Sequence, residues 1–434
     1  MYNPVRVVEV RIWGQRVGAV ALDPSRGYYA FEYSPEFIDT GIELAPLSMP
    51  LAQASVPFIF ETLPERTYQR LPALLADALP DDFGNALINA WMAGHGVQKS
   101  AITPLDRLAY MGRRGIGALE FHPERSPVRG RPTAIELSRL TETARKAIHG
   151  SLLTEPPTET ALSQMIRVGT SAGGARAKAV IAWNPETNEI RSGQFDVPKG
   201  YEHWLLKFDG VGPDIELGGS ENYGRIEYAY YKMACAANIH MSPCRLLHEN
   251  GRAHFMTKRF DRTGNRKHHL QTLCAIAEMD YRQKAAHNYN QLFLAMKRLQ
   301  LPFADFEEAF RRMVFNVLSA NCDDHSKNIS FMLVQNGKWE LAPAYDITHA
   351  YNPEGEWPHQ RFMSVNGKFA GITRDDCLAV AGRFSIGTAP KVIKQVDAAL
   401  SRFTEFAKEA QLRESETKRI LADFQVFRMA HPPS

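Results

Sequence analysis

No stretch of this 434-residue chain approaches the 18 or more consecutive apolar residues that span a bilayer. The first thirty residues carry Arg6, Glu9 and Arg11 where an exported protein would have an unbroken apolar segment. A soluble protein that stays in the cytoplasm, with no membrane partner, is the expectation. Cysteine is scarce as well. Cys235, Cys244, Cys274, Cys322 and Cys377 are odd in number and show no C-x-x-C or other metal-ligand spacing. That argues against a disulfide framework and a structural zinc site, and each thiol is expected to behave as a small buried hydrophobe. An excess of one charge is also missing. Lys and Arg number 51 against 48 Asp and Glu, a net of +3, well short of the basic footprint of a protein that lives on phosphate backbone. Neither an internal repeat nor a low-complexity tract is present.

What remains is an ordinary globular composition, 44% hydrophobic and 23% charged, long enough for two or three packed units. The chain opens as β. Val5, Val7, Val8 and Val10 lead to Trp13, Gly14-Gln15 is placed to turn, residues 17–22 return, and Asp23-Pro24 with Gly27 precedes residues 28–33. After Pro64 the period becomes helical, with Leu71, Leu74, Leu75 and Leu79, then Ala86, Leu87, Ala90 and Trp91. Residues 123–132 mix Pro, Gly and Arg without apolar period and read as a connection. Beyond it, Thr133 and Glu136 have capping-box spacing ahead of the stripe Leu137, Leu140, Ala144 and Ile148. Strands are expected over 177–183, 203–208 and 254–257, with one helix over 225–237. Helical periods then dominate: Phe306, Phe310, Met313 and Val317, and later Ile393, Val396, Leu400, Phe403 and Phe406. The reading is α+β in three units: a β-rich unit over 1–124, a mixed small lobe over 125–258 and a mainly helical large lobe over 259–434.

The segment Asn321-Cys322-Asp323-Asp324-His325-Ser326-Lys327-Asn328 is the most informative, because a polar cluster follows directly on an apolar helix. After it comes an apolar run of strand length, then Gln335-Asn336-Gly337-Lys338, a strong hairpin signal, then a return strand to Asp346. A tight hairpin brings Asp346 back toward Asp323 and Asn328. Hard divalent cations take such oxygens, and Mg²⁺ is held by one or two protein groups while phosphate oxygens complete its shell. Asn328 and Asp346 are the candidate metal ligands. In protein kinases a catalytic Asp precedes a metal-binding Asn by five positions and a second Asp follows a short hairpin; Asp323 to Asn328 is also five. The bland alternative is a solvated surface loop in which Asp323 caps a turn.

Phosphoryl transfer also needs a phosphate cradle and a cation. Residues 168–178 are Gly-rich, with Gly169, Ser171, Ala172, Gly173 and Gly174 free of bulk, so backbone N–H groups there could approach phosphates. The loop is not of the Walker type, since Ala175 and Arg176 stand where Lys and Ser/Thr must be; alone, it reads equally as a β-connection. Lys207 interrupts the apolar strand Trp204-Leu205-Leu206 and Phe208, and must either reach water or find an anion. Glu227, on the predicted helix, is its candidate partner, or else a plain exposed residue.

With these residues together, the chain resembles HipA-family serine/threonine kinases, the toxin half of bacterial toxin–antitoxin pairs. The signature D-x-H-x-K-N reads Asp323-Asp324-His325-Ser326-Lys327-Asn328, followed by Tyr345-Asp346-Ile347, and the segment 110–118 also matches. The resemblance implies a kinase-like bilobal fold, ATP and Mg²⁺ as cofactors, and Asp323 as catalytic base within a set that includes His325 and Lys327. It implies Asn328 and Asp346 as metal ligands and Lys207 on the ATP phosphates. Ser171 matches a serine whose autophosphorylation silences the family's enzymes; read without the family, it is a turn-forming hydroxyl. The stretch 258–262 resembles the lobe-linking segment, which would place Lys258 and Phe260 at the nucleotide; Lys258 stands where an acidic residue is common, so adenine recognition there would use main-chain groups. The family further implies an aminoacyl-tRNA synthetase as protein substrate and a small helix-turn-helix antitoxin of the HipB kind as partner, with DNA reached only through it. Two other readings use the same residues. Asp323, His325 and Asp346 could hold a metal for a nuclease, which leaves Lys207 and the Gly-rich loop without a use, or the chain could be a catalytically silent module that binds antitoxin and operator.

Overall fold

The computed structural model describes residues 2–125, 140–142, 144, 177–211, 222–354 and 359–428. The N-terminal unit is built on a four-stranded antiparallel sheet in the order β3-β2-β1-β4, with β1 Val7–Ile12, β2 Gln15–Asp23, β3 Tyr28–Tyr33 and β4 Leu119–His122. Val8, Val10 and Ile12 alternate inward along β1, as a half-buried strand requires. The turn between β1 and β2 is Trp13-Gly14, one residue earlier than the sequence suggested. Both residues have positive φ, 49° and 81°, the geometry of a two-residue turn matched to strand twist, and Ile12 pairs with Gln15. The helical stretch after Pro64 is divided into short helices, Glu65–Tyr68 and Ala73–Ala76, and the longer Asp82–Gly94, whose first turn is capped by Asp81 accepting from Gly84 N at 2.7 Å.

The small lobe carries a five-stranded antiparallel sheet in the order β6-β5-β7-β9-β8: β5 Lys178–Trp183, β6 Ile190–Ser192, β7 Glu202–Lys207, β8 Cys244–Glu249 and β9 Arg252–Lys258. The expected strands are thus present, with β7 at the centre. Helix Tyr223–Ala236 lies against β9 so closely that a Cβ on Gly224 would sit 2.0 Å from the Ala253 carbonyl oxygen. Only glycine allows that approach, which carries Glu227 toward β7.

In the large lobe, helix Phe303–Leu318 buries Ala309, Phe310, Met313, Val314 and Val317 along one stripe. The later stripe is two helices, Ala389–Leu400 and Phe403–Glu409, because at Arg402 the backbone tightens to an i−3 bond with Ala399 O. The hairpin forms as expected: strand Ser330–Leu333 pairs with Trp339–Leu341, and Gly337 N closes the turn on Val334 O at 2.8 Å. A strand the sequence did not suggest, His269–Thr272, pairs on the other side of 330–333. Of the predicted helix near 133–150, Leu140 and Ala144 are described; both are helical and buried. One apolar core joins the N-terminal unit to the five-stranded sheet, and a second joins helix Tyr223–Ala236 to the large lobe. We propose to keep the boundaries near 124 and 258 as changes of element type, since apolar cores run across both of them.

Candidate active site

A cleft of about 400 Å³ opens between the five-stranded sheet, the large lobe and residues 66–85 of the N-terminal unit. That volume suits a ligand of nucleotide size. Lys207, Glu227, Lys258, Phe260, Asp323, His325, Lys327, Asn328 and Asp346, which the sequence singled out, all line it. Gly169, Ser171, Ala172, Gly173, Gly174 and Arg176 lie outside the described residues.

On the sheet wall, Leu205 and Lys207 are alternate residues of β7 and share the face toward the cleft. Lys207 Nζ donates to Glu227 Oε1 at 2.5 Å and to Asp346 Oδ1. Burial alone would lower the lysine's pKa, but the two carboxylates outweigh it and hold the ammonium well above its ordinary value. Burial likewise works against the Asp346 carboxylate, and Lys207, helped by Lys178, keeps it ionised well below the usual range. Asp346 also holds φ at 52°, in the left-handed region that a non-glycine residue adopts only when its surroundings dictate it.

On the opposite wall, the chain leaves helix Phe303–Leu318 through Ala320 at φ 55° and forms a single 3₁₀ turn, Ser326–Asn328. Here the polar residues divide into anchors and open groups. Asp324 is buried, accepting from Tyr289 Oη at 2.9 Å and Phe362 N at 3.0 Å, and the Ser326 hydroxyl donates to Met279 O at 2.5 Å. Asp323, one residue before Asp324, keeps half of its side chain exposed (50%) with His325 Nε2 3.6 Å from its Oδ1. His325 packs between Tyr281 and Phe362. Asn328 Nδ2 donates to the Asp323 carbonyl oxygen at 2.8 Å, so its amide oxygen is the atom left to offer a cation. Asn328 and Asp346 are oxygen donors of the kind that could hold Mg²⁺, which takes one or two groups from a protein when phosphates provide others. Among the described residues no three His, Cys, Asp or Glu side chains gather as a self-sufficient metal site.

Two models cover the chain: the HipA N-terminal domain matches residues 8–122 and the HipA-like C-terminal domain matches 170–429. The chain belongs to the HipA family. Over 97% of its length it superposes on 95% of the HipA chain in a Shewanella oneidensis MR-1 complex of HipA, HipB and operator DNA, with a TM-score of 0.66 at 17% identity. That likeness shows the kinase-like α+β fold. Among curated relatives, the Sinorhizobium fredii protein named "Putative kinase Y4mE" is 24% identical over 79% of this chain and 77% of its own length. A second from the same organism, "Putative kinase Y4dM", is 29% identical over 29% of this chain and 31% of its own. Among the described residues, no helix of this HipA-family chain is long and apolar enough to cross a membrane.

The stretch 258–262 is a charge clamp. Arg259 grips Asp261 with Nε and Nη2 at 2.8 and 2.6 Å, Arg262 adds a contact at 2.7 Å, and Gly117 N donates to the same carboxylate at 2.7 Å. Gly117, at φ 79° and against Leu270, belongs to the 110–118 segment, so the N-terminal unit is tied to the stretch that follows β9. The Lys258 side chain turns to Glu202 Oε1 at 2.5 Å, while Phe260 meets the Tyr345 ring at 5.9 Å. Sequence reasoning missed the wall from 66–85, including Asp77 and Asp81. Both fall inside the stripe Leu71–Leu79 or just after it, and a carboxylate in an apolar stripe was the available signal.

Proposed function

We propose that this HipA-family chain is an ATP- and Mg²⁺-dependent protein serine/threonine kinase. The observation that carries the reading is Lys207, joined to both Glu227 and Asp346, facing the Asp323–Asn328 turn across one cleft. In this reading the Lys207 ammonium takes the nucleotide phosphates, with the backbone N–H groups of Gly169, Ala172, Gly173 and Gly174 as further proposed phosphate donors. Asp323, exposed toward the cleft, accepts the proton of the substrate hydroxyl as it attacks, a role worth 10² to 10⁴ in rate. His325 orients that carboxylate and Lys327 steadies the turn. Asn328 and Asp346 hold magnesium, which when bound offsets charge on the phosphate oxygens.

Ser171 is the proposed autophosphorylation site. A dianionic phosphoserine is repelled by ATP phosphates, so modification would displace the loop and silence the enzyme. The external substrate is proposed to be an aminoacyl-tRNA synthetase. A HipB-like helix-turn-helix antitoxin is the proposed partner, supported by the complex in which the Shewanella relative was solved, with DNA reached through that partner. The nuclease reading is less well supported, because it leaves Lys207, held in the cleft by Glu227 and Asp346, without a use.

Incubation with labelled ATP, Mg²⁺ and a bacterial lysate tests the assignment. Label is expected on Ser171 and on one main cellular protein, and Asp323→Gln should remove both. Labelling that survives the substitution would count against the kinase, and DNA cleavage without ATP would favour a nuclease.

A further inference from the structure

Asp323 keeps an exposed carboxylate, yet the backbone on either side of it is fixed. Before it, Cys322 N donates to Ala350 O at 2.9 Å and Ala350 N donates to Ala320 O at 3.1 Å, which ties the polar turn to the segment after Asp346. After it, Asp324 is enclosed, and its Oδ2 lies 3.6 Å from Arg361 Nη1, an ion pair between side chains that are 0% and 1% exposed. Two charges withdrawn from water in this way persist only where their remaining donors and acceptors are also met.

Arg361 finds its acceptors on the helix that precedes the turn. Nη1 donates to Asn321 O at 3.1 Å, and Nη2 donates to Asn316 O and Val317 O, both at 2.7 Å. Asn316 and Val317 lie in the last turn of helix Phe303–Leu318, where carbonyls lack partners within the helix and a cation is favourably placed. The Phe427 ring covers the guanidinium, its centroid 5.4 Å from Cζ. On the Asp324 carboxylate, Oδ1 accepts Phe362 N at 3.0 Å and Oδ2 accepts Tyr289 Oη at 2.9 Å. Tyr289 Oη in turn accepts Asn316 Nδ2 at 3.2 Å, and Asn316 Oδ1 accepts Asn321 Nδ2 at 2.9 Å. The bonds thus close into a ring through Arg361, Asp324, Tyr289, Asn316 and Asn321. The planar fork of arginine spans three carbonyls and a carboxylate from one side chain, which the compact ammonium of lysine does not.

We propose that Arg361 is a positioning residue for phosphoryl transfer: by holding the end of helix Phe303–Leu318 and Asp324 together, it sets the backbone from which Asp323 reaches the cleft. Arg361 is not among the residues that line the cleft, so it acts through Asp324. This rests on the kinase reading above. Misplacing a reacting group by about 1 Å costs up to about 100-fold in rate. Lys207 and Glu227, on the other wall, stand outside the ring, so a loosened turn should lower turnover and spare nucleotide affinity.

In the full-length protein, Arg361→Lys keeps the charge and loses the fork, while Asp324→Asn keeps an acceptor for Phe362 N and loses the charge. Each should slow label transfer from saturating Mg-ATP to the main labelled protein of a bacterial lysate by about 10-fold per folded molecule, with KM for ATP changed less than about 2-fold. Tyr289→Phe removes only a hydroxyl from the ring and should slow transfer about 3-fold. The double variant of Arg361→Lys with Asp324→Asn should be no slower than the slower single variant, and Tm should show the same non-additivity. Rates are compared at a temperature at which each variant is folded, because a residue that only supports stability lowers Tm and leaves the rate per folded molecule unchanged. That result would overturn the proposal, as would rate losses that multiply in the double variant or a KM for ATP that rises as far as the rate falls. Where Arg361→Lys or Asp324→Asn does not fold, Tyr289→Phe decides: a wild-type rate overturns the proposal, and a slower rate at unchanged KM supports it. A wild type that transfers no phosphate would instead overturn the kinase reading and the positioning role with it, whereas failure of the positioning role alone leaves an active wild type.

Discussion

The two walls of the cleft treat charge in opposite ways. On the sheet wall Lys207 is nearly enclosed, its side chain 10% exposed, and it already has two carboxylate partners. On the loop wall the Asp323 side chain is 50% exposed, while its neighbours Asp324 and Ser326 are committed to the protein. A buried charge must be compensated by the fold before any ligand arrives, whereas an exposed one is kept solvated by water until a substrate displaces it. The sheet wall is therefore coupled to stability and the loop wall to chemistry.

Substituting Lys207 by Met is the sharpest way to break this contrast. It leaves the buried Glu227 beside the partly exposed Asp346 as two unpaired like charges, and loss of one partner of a buried pair costs about 3–5 kcal/mol. Urea unfolding should show that loss, and Mg-ATP should no longer raise Tm, whereas Asp323→Gln should leave unfolding within about 0.5 kcal/mol of wild type. Equal stability losses in the two variants would erase the distinction between the walls.

Asp81 offers a smaller and oppositely signed effect. Burial raises its carboxyl to about 6, with Lys178 pulling against the rise, and its Oδ2 is buried without a hydrogen-bond partner. A folded-state pKa above the unfolded value means that the folded protein holds the proton more tightly. Stability is then greatest below about pH 4 for this group, declines as pH rises toward 6, and is fully lost above it, by roughly 3 kcal/mol at most. Asp81→Asn keeps the cap on Gly84 and should raise Tm at pH 7.5 while leaving it unchanged near pH 4. A Tm difference independent of pH would show that the carboxylate is not strained. The smallest effect is expected at the rim: Lys258→Ala breaks an exposed pair with Glu202 and should shift stability by less than about 1 kcal/mol with Mg-ATP binding retained.

Much of the site was legible because each of its residues breaks a local pattern. Lys207 interrupts an apolar strand, the Asp323–Asn328 cluster follows an apolar helix, and Asn336-Gly337 announces the hairpin that returns to Asp346. The third wall was not legible. Asp77 and Asp81 border a leucine stripe whose period already had an explanation, and their partners lie far along the chain. The displaced turn at Trp13-Gly14 and the four-residue strand His269–Thr272 were missed for a related reason: short elements are set by pairing with distant strands, which local period does not reveal.

What the amino-acid order determined by itself was local: strand alternation around Lys207, the helical stripe before the polar turn, the five-residue spacing and the tight hairpin, all governed by contacts within a few residues. Only the tertiary structure decided that Lys207 meets Glu227 and Asp346, that Asp324 is an anchor while its neighbour Asp323 stays open, and that Asp77 reaches Thr272. Those choices depend on which charges are desolvated together, and burial is a property of the packed molecule.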